Sequence, residues 1–303
     1  MEPLKWSVYN QNPEFMELTR MTLILPEYEP LVRKWCGICD GAQILDVGCG
    51  TGYFTRLLAR GPESACFTGI DMEDGFIERA KELAEAEGLA ISFLEGDALH
   101  LPFTDASFDV AVSHTFLTSV TDPQGAVAEM KRVVKPGGLI ASVTCMNFLP
   151  QVFTPGEYPS DCTWYKEFQE LTLTLNQAYE KINPLAGYAG GVRPDLVPGF
   201  LAKQGLQEVS AYPIGKLVSL SNAAMSHTEK ERYIDLYQSS ELKKLHAYME
   251  LPQMKPHFCA AQAERYEELL NEKCRFLRSD LDENRIWEWT GGANVLITGR
   301  TKD

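Results

Sequence analysis

Seven consecutive residues have the types and spacing for ligand chemistry at a backbone turn: Asp46-Val47-Gly48-Cys49-Gly50-Thr51-Gly52. Three glycines at alternate positions let the main chain bend sharply and let a ligand come close to it, because glycine has no Cβ and tolerates positive φ. The turn follows Ile44-Leu45-Asp46-Val47, a buried-strand pattern, and opens a helical stretch whose Phe54, Leu57 and Leu58 share a face. A dinucleotide fingerprint needs glycine at its first, third and sixth positions, and the sixth position from Gly48 is Tyr53. NAD and FAD are therefore disfavoured. A carboxylate at Asp46 is also a poor neighbour for a pyrophosphate, which seeks helix N-termini and donors, and a good one for an ammonium group.

Further candidates fall at the ends of the next strands. Asp71 closes the run Cys66 to Ile70, within Gly69-Ile70-Asp71-Met72, and Glu95-Gly96-Asp97-Ala98 follows Ala90 to Leu94. Phe108 to Ser113 reads as a fourth strand, and Lys135-Pro136-Gly137-Gly138 turns the chain into a fifth, Leu139 to Thr144. Between them, Phe76, Ile77, Ala80, Leu83 and Ala84 recur at helical spacing up to Gly88, and Ala126 to Val134 forms a helix stopped by Pro136. Asp195 to Gln204 reads as a helix, Leu206 to Tyr212 as a sixth strand and Ala293 to Thr298 as the last. Strands alternating with helices of this length imply βαβ units, a parallel sheet and right-handed crossovers.

With these five motifs in order, the chain resembles the class I S-adenosylmethionine-dependent methyltransferases. Their cofactor carries an ammonium and a sulfonium and no phosphate, which agrees with the charge at Asp46. The resemblance implies a seven-stranded, mostly parallel sheet with helices on both faces, in a Rossmann-like arrangement, and a largely helical lid built from insertions. It implies that Asp46, Gly48, Cys49, Gly50 and Gly52 form the cofactor turn and that Asp71 accepts both ribose hydroxyls. Met72 would lie against the adenine, Asp97 would accept from its amino group, and Ala98 would offer a backbone N–H. Ser113, at the end of the fourth strand, completes the set. The motifs cover residues 42 to 145, and element order extends the likeness over Asp195 to Gly299.

Two departures bear on mechanism. Many relatives carry a histidine two residues after the leucine that follows the fourth strand, and here Ser119 stands there, in Leu117-Thr118-Ser119. The Asn/Asp-Pro-Pro-aromatic signature of amino-methylating DNA enzymes is replaced by Ser113-His114-Thr115-Phe116. Methyl transfer from a sulfonium is an in-line displacement, so positioning and exclusion of water can supply much of the rate, and a general base is needed only for a protonated acceptor. His114 is the candidate base, because it stands at the carboxyl end of the fourth strand, where open α/β sheets place ligands. Cys145 follows the fifth strand toward the same end.

Aromatic residues outside the motifs, among them Trp6, Tyr9, Tyr158, Trp164, Tyr188 and Trp287, suggest a partly apolar acceptor pocket. Trp6, Tyr9, Cys145, Trp164 and Arg193 are its candidate residues. The expected organisation is an N-terminal helical lid segment at 1–40, a cofactor-binding core at 41–145 and an insertion at 146–192. The core continues at 193–212, a helical cap follows at 213–292, and the last strand occupies 293–303.

The formal net charge of −14, from 28 basic and 42 acidic residues, and the lack of a Lys/Arg cluster disfavour nucleic acid and anionic membrane partners. Cys36 and Cys39 are close, but no second pair or histidines follow at ligand spacing, so no metal is expected. The first ten residues lack a basic start and apolar run, and no apolar stretch is long enough to span a bilayer, so a cytoplasmic setting is expected. The expected function is methyl transfer from S-adenosylmethionine to a small-molecule acceptor. Modification of protein or RNA, and cofactor binding without turnover, are the alternatives.

Overall fold

The computed structural model describes residues 5–21, 24, 26–146, 162–182, 191–214, 218–220, 225–281, 289–290 and 293–302. Much of the expected insertion at 146–192, with Tyr158 and Tyr188, lies outside these residues, as does Trp287. The strands are β1 (Gln43–Val47), β2 (Cys66–Asp71), β3 (Ile91–Glu95), β4 (Phe108–His114), β5 (Val134–Met146), β6 (Gln207–Pro213), β7 (Val218–Ser219), β8 (Trp289–Thr290) and β9 (Ala293–Arg300). The helices are α1 (Trp6–Tyr9), α2 (Pro13–Met21), α3 (Glu29–Trp35), α4 (Tyr53–Ala59), α5 (Asp74–Ala86), α6 (Pro123–Val133), α7 (Thr163–Ile182), α8 (Val197–Lys203), α9 (His227–Met249) and α10 (Ala260–Ser279). The chain divides into a sheet unit (Thr19–Phe148, Gly190–Lys216, Gly292–Asp303) and a helical unit (Met1–Leu18, Leu149–Ala189, Leu217–Gly291).

The sheet unit holds seven strands in the order β3-β2-β1-β4-β5-β9-β6. The pairs β1–β2, β2–β3, β1–β4 and β4–β5 are parallel, and β9 runs antiparallel between β5 and β6. This is the Rossmann-like, mostly parallel sheet expected from the motifs. Its strands read as continuous apolar runs because both faces are covered. Leu45, Val47, Ala111, Ile140 and Ile297 pack with Val127 and Met130 of α6 and Val197 and Leu201 of α8. The alternate residues Ile44, Val110, Val112, Ala141, Val143 and Leu296 pack with Phe54, Leu57 and Leu58 of α4 and with Val32 and Cys36. The period of two along each strand produces this division. Fully burying a side chain such as Leu57 or Val112 contributes about 1.5–3 kcal/mol.

Element boundaries differ from the sequence reading in three places. The α6 helix starts at Pro123, because Asp122 caps it by accepting the Gly125 amide at 2.9 Å and proline suits the first turn. Strand β5 starts at Val134, before the glycine pair; its register with β4 jumps from Phe108↔Val134 to Val110↔Leu139, so Lys135 to Gly138 form a bulge. The stretch from Asp195 begins as a 3-10 turn, Pro194–Leu196, and only then continues as α8.

The helical unit is organised by aromatic rings. Tyr165, Phe168 and Tyr179 of α7 pack with Tyr248 of α9 and with Tyr266, Leu269 and Leu270 of α10. The Tyr179 and Tyr248 rings lie 4.0 Å apart, and Tyr9 meets Tyr248 edge-on at 5.0 Å. A capping box opens α9: the Ser226 hydroxyl accepts the Glu229 amide, and the Glu229 carboxylate accepts the Ser226 amide at 2.7 Å. Arg265 of α10 donates two hydrogen bonds, 2.8 and 2.6 Å, to Glu167 of α7. Among the described residues no helix is long and apolar enough to cross a membrane.

Candidate functional site

The glycine turn is shaped by what its amides bind. The Gly48 and Cys49 amides both donate to the Ile70 carbonyl, at 2.8 and 3.0 Å, and the Gly50 amide donates to Asp71 Oδ2 at 2.8 Å. The loop thus wraps around the carboxyl end of β2, and these three donors are already used. A phosphate would need them free. Gly48 and Gly52 have φ of +69° and +73°, in the left-handed region. A Cβ at Gly48 would run into the Phe116 ring, and one at Gly52 would sit 2.6 Å from Phe93. Cys49 turns its side chain inward, against Phe93 and Ala80.

Asp46, in β1, is 1% exposed. Its Oδ2 accepts the Thr55 hydroxyl of α4 at 2.6 Å, and its Oδ1 has no hydrogen-bond partner among the described residues. Burial, reinforced by the Asp71 charge and opposed by the Thr55 bond, raises the carboxyl to about 7. Asp71, the last residue of β2, accepts the Gly50 amide on Oδ2 and the Glu73 amide on Oδ1 at 3.1 Å. Burial raises it to about 6 despite those two amides. Two carboxylates therefore stand at adjacent strand ends with titration ranges close to neutrality. A cation bound beside them would return both to the ionised form.

Met72, next to Asp71 in the chain, is 66% exposed. Asp97 follows β3; the His100 ring and the Leu99 amide, at 3.0 and 2.8 Å, hold its carboxyl below the usual range. Ala98 is its chain neighbour and packs at the edge of the core. Ser113 is fully buried in β4, and its hydroxyl donates to Ser142 at 3.1 Å.

His114 ends β4 and is 8% exposed. Its ring lies 5.3 Å from Phe54, and Nε2 is buried with no hydrogen-bond partner among the described residues. Burial, and next the Arg20 charge, hold it well below the usual histidine range, so it is neutral. Thr115 follows with φ of +53°, its amide bonded to the Val143 carbonyl at 2.8 Å; this turn carries Phe116 back over Gly48. A left-handed non-glycine residue costs about 1–3 kcal/mol and clusters at ligand sites. Ser119, where many relatives have histidine, is bonded to the Thr115 carbonyl at 3.1 Å.

The structure brings together Asp46, Gly48, Cys49, Gly50, Gly52 and Asp71 at the carboxyl ends of β1 and β2. Met72, Asp97, Ala98, Ser113 and His114 occupy the ends of β2, β3 and β4, and Cys145 lies near the end of β5. Trp6, Tyr9 and Trp164 belong to the helical unit, where Trp164 packs edge-on against Tyr165 and Phe276. Arg193 forms a two-point ion pair with Asp195 at 2.6 and 2.7 Å, on the surface. Among the described residues no group of three His, Cys, Asp or Glu side chains is placed to hold a metal ion. Sequence reasoning missed Phe116, Thr55 and Arg56. A buried arginine on a helix read as amphipathic leaves no periodic signal. Phe116 is one of many aromatics until the turn at Thr115 aims it.

Residues 45–142, which carry most of the first five strands, match the family model described as a methyltransferase domain. Over 117 residues the chain is 36% identical to sterol 24-C-methyltransferase of Aspergillus fumigatus, covering 38% of this chain and 31% of that protein. Over 112 residues it is 41% identical to demethylmenaquinone methyltransferase of Staphylococcus aureus, covering 36% of this chain and 45% of that protein. The chain spans less than half the length of these curated relatives. Among solved structures, it resembles phosphoethanolamine N-methyltransferase 2 of Haemonchus contortus in complex with S-adenosyl-L-methionine (TM-score 0.51, 13% identity, covering 98% of this chain and 59% of that one). It also resembles a candidate methyltransferase of Bacillus halodurans (TM-score 0.50, 16% identity, covering 91% and 100%). These two likenesses establish the fold.

Proposed function

We propose that the protein transfers a methyl group from S-adenosylmethionine to a small-molecule acceptor. The observation that carries this reading is the buried Asp46 oxygen without a partner among the described residues, beside a turn whose Gly48, Cys49 and Gly50 amides are already spent on Ile70 and Asp71. Such a site offers a phosphate few donors and a cation an open acceptor. The cofactor fits that chemistry: it offers an ammonium, two ribose hydroxyls and an adenine, and when bound it supplies an electrophilic methyl on a sulfonium.

The residues have separable tasks. Asp46 answers the ammonium charge, and Asp71 accepts from the ribose hydroxyls with lone pairs that Gly50 and Glu73 leave free. The exposed Met72 covers one face of the adenine, and Asp97 and Ala98 read its polar edge. Gly48, Cys49, Gly50 and Gly52 give the backbone its close approach, and Ser113 supports the end of β4. His114 is neutral and buried, with Nε2 open, so it accepts a hydrogen bond from a hydroxyl or amine of the acceptor and orients it. Its depressed basicity makes it a poor resting place for a full proton. The sterol and menaquinone relatives support a small-molecule acceptor; the net charge of −14 adds no support for RNA.

Calorimetry with S-adenosylhomocysteine tests the reading. Wild-type protein should bind it and ignore NAD, and Asp71→Ala should weaken binding by at least about 100-fold, because two charge-assisted hydrogen bonds contribute about 3 kcal/mol or more together. Incubation with methyl-labelled cofactor and a cell extract should then place label in the small-molecule fraction. Label in the polymer fraction would replace the acceptor class, and tight binding with no label anywhere would make the protein a binder rather than an enzyme.

A further inference from the structure

Arg56 stands in the middle of α4 and is only 1% exposed, although the helix's apolar residues already cover the sheet. Burying a guanidinium is expensive unless its donors are all met by well-aligned acceptors. Here one acceptor belongs to the cofactor turn and another to Glu87, at the end of α5. Nη1 donates to the Thr51 carbonyl at 2.6 Å and Nε to Glu87 Oε1 at 2.8 Å, while the Arg56 amide donates to the Gly52 carbonyl at 2.9 Å. The amide bond is the ordinary first-turn bond of α4, so what the side chain adds is its hold on the Thr51 carbonyl, between Gly50 and Gly52, which have φ of +53° and +73°.

Glu87 completes the arrangement. It caps the carboxyl end of α5, the helix that starts three residues after Asp71, and its other oxygen binds Arg60 at 2.8 Å; Arg60 in turn reaches Glu29 at 3.3 Å. Burial pulls the Glu87 carboxyl up, but the bonds from Arg60 and Arg56 outweigh it and hold it below its usual range. The planar guanidinium presents donors in a fixed fork, so it can meet a carbonyl and a carboxylate at once; a lysine ammonium in the same space is a single point charge on a flexible stem.

We propose that Arg56 is a positioning residue for the cofactor: anchored by Glu87, it fixes the Thr51 carbonyl and keeps the glycine turn in its ligand-ready shape. Arg56 touches neither cofactor nor acceptor, and it acts through the backbone of residues 50–52. The proposal rests on the cofactor reading given above and adds to it the residue that maintains the turn.

The test compares wild-type protein with Arg56→Lys, Arg56→Met and Glu87→Gln, using calorimetry with S-adenosylhomocysteine, apo melting temperature and amide exchange at the turn. Arg56→Lys should retain the fold, weaken binding by about tenfold, the value of one charge-assisted hydrogen bond, and speed exchange of the Gly52 and Arg56 amides. Arg56→Met should weaken binding further, and Glu87→Gln less than Arg56→Lys. Leu57→Ala is the control for stability alone, because Leu57 packs on the sheet and makes no bond to the turn. If Arg56→Lys binds as wild type does, the proposal is overturned. If Leu57→Ala, at a matched loss of melting temperature, weakens binding as much, the role is general stability and the proposal is again overturned. Wild-type protein that fails to bind at all overturns the cofactor reading itself, a result distinct from either.

Discussion

The carboxyl end of the sheet and the interior of the helical unit are both buried, yet they are built on opposite terms. At the sheet end, polar groups are enclosed with their needs partly unmet: an oxygen of Asp46, Nε2 of His114 and the Thr144 hydroxyl are buried without partners among the described residues. Backbone strain gathers there too, in left-handed glycines and at Thr115. The helical unit buries rings against rings and closes its helix ends with conventional caps, such as the Ser226–Glu229 box. A region that tolerates strain and open acceptors is stabilised from elsewhere and completed by a ligand. In the helical unit such atoms are fewer, Asn10 Nδ2 and the Tyr179 hydroxyl among the described residues, and ring packing makes it a scaffold by this measure.

Substitution of Gly48 should break the sheet end most severely. Gly48→Ala demands a left-handed alanine and drives its methyl into the Phe116 ring, at a cost of about 1–3 kcal/mol for the backbone alone. The turn should distort and S-adenosylhomocysteine binding fall by at least about 100-fold, a loss of about 2.7 kcal/mol. Adding Phe116→Ala should recover the steric part and leave the backbone part. If Gly48→Ala binds as wild type does, the turn is not where the ligand rests.

The titration of the two acids sharpens the contrast in a graded way. Asp46 and Asp71 rise to about 7 and about 6, so in the apo protein the native state holds their protons more tightly than the unfolded chain. Their contribution to stability therefore falls as the pH rises from about 4 through 7, and a cationic ligand reverses that penalty. Affinity for S-adenosylhomocysteine should be about tenfold weaker at pH 6 than at pH 8 through Asp46 alone, as one pKa unit is about 1.4 kcal/mol. Methylthioadenosine lacks the ammonium and should show only the smaller dependence of Asp71, about twofold over that range. Equal pH profiles for the two ligands would remove Asp46 from the ammonium's side.

What was legible in the sequence follows the same division. The turn from Asp46 to Gly52 is readable because backbone geometry demands particular residues, and the strands that end near Asp71 and His114 are readable as short apolar runs bounded by turn residues. Alternating strands and helices announce βαβ units and a parallel sheet, whereas the count of seven rests on the resemblance and the strand order comes from the structure. Where tertiary contacts decided the matter, local pattern was silent. Arg56 on α4 reads as a solvated charge, and nothing near Phe116 in the chain announces that it will cover Gly48. The bulge at Lys135–Gly138 reads as a plain turn in the sequence because the partner that holds it, Thr301 with its hydroxyl on the Lys135 carbonyl at 2.8 Å, comes 166 residues later. The aromatics of the helical unit gave amphipathic stripes and no chemistry, as residues that pack on one another do.

The smallest effect is expected where the comparison is most exposed to refutation. Tyr179 is the one place in the helical ring cluster where a buried polar atom, its hydroxyl, has no partner among the described residues. Burial keeps that phenol protonated well beyond the physiological range. A hydroxyl enclosed without a partner costs free energy, so Tyr179→Phe should leave stability unchanged or raise it by up to about 1 kcal/mol in denaturant titration, with the stack on Tyr248 retained. Affinity for S-adenosylhomocysteine should not change. A loss of stability of about 1 kcal/mol or more would mean that the hydroxyl is satisfied by a bound water or small molecule. The helical unit would then enclose a polar site of its own, and its description as a packed scaffold would fail.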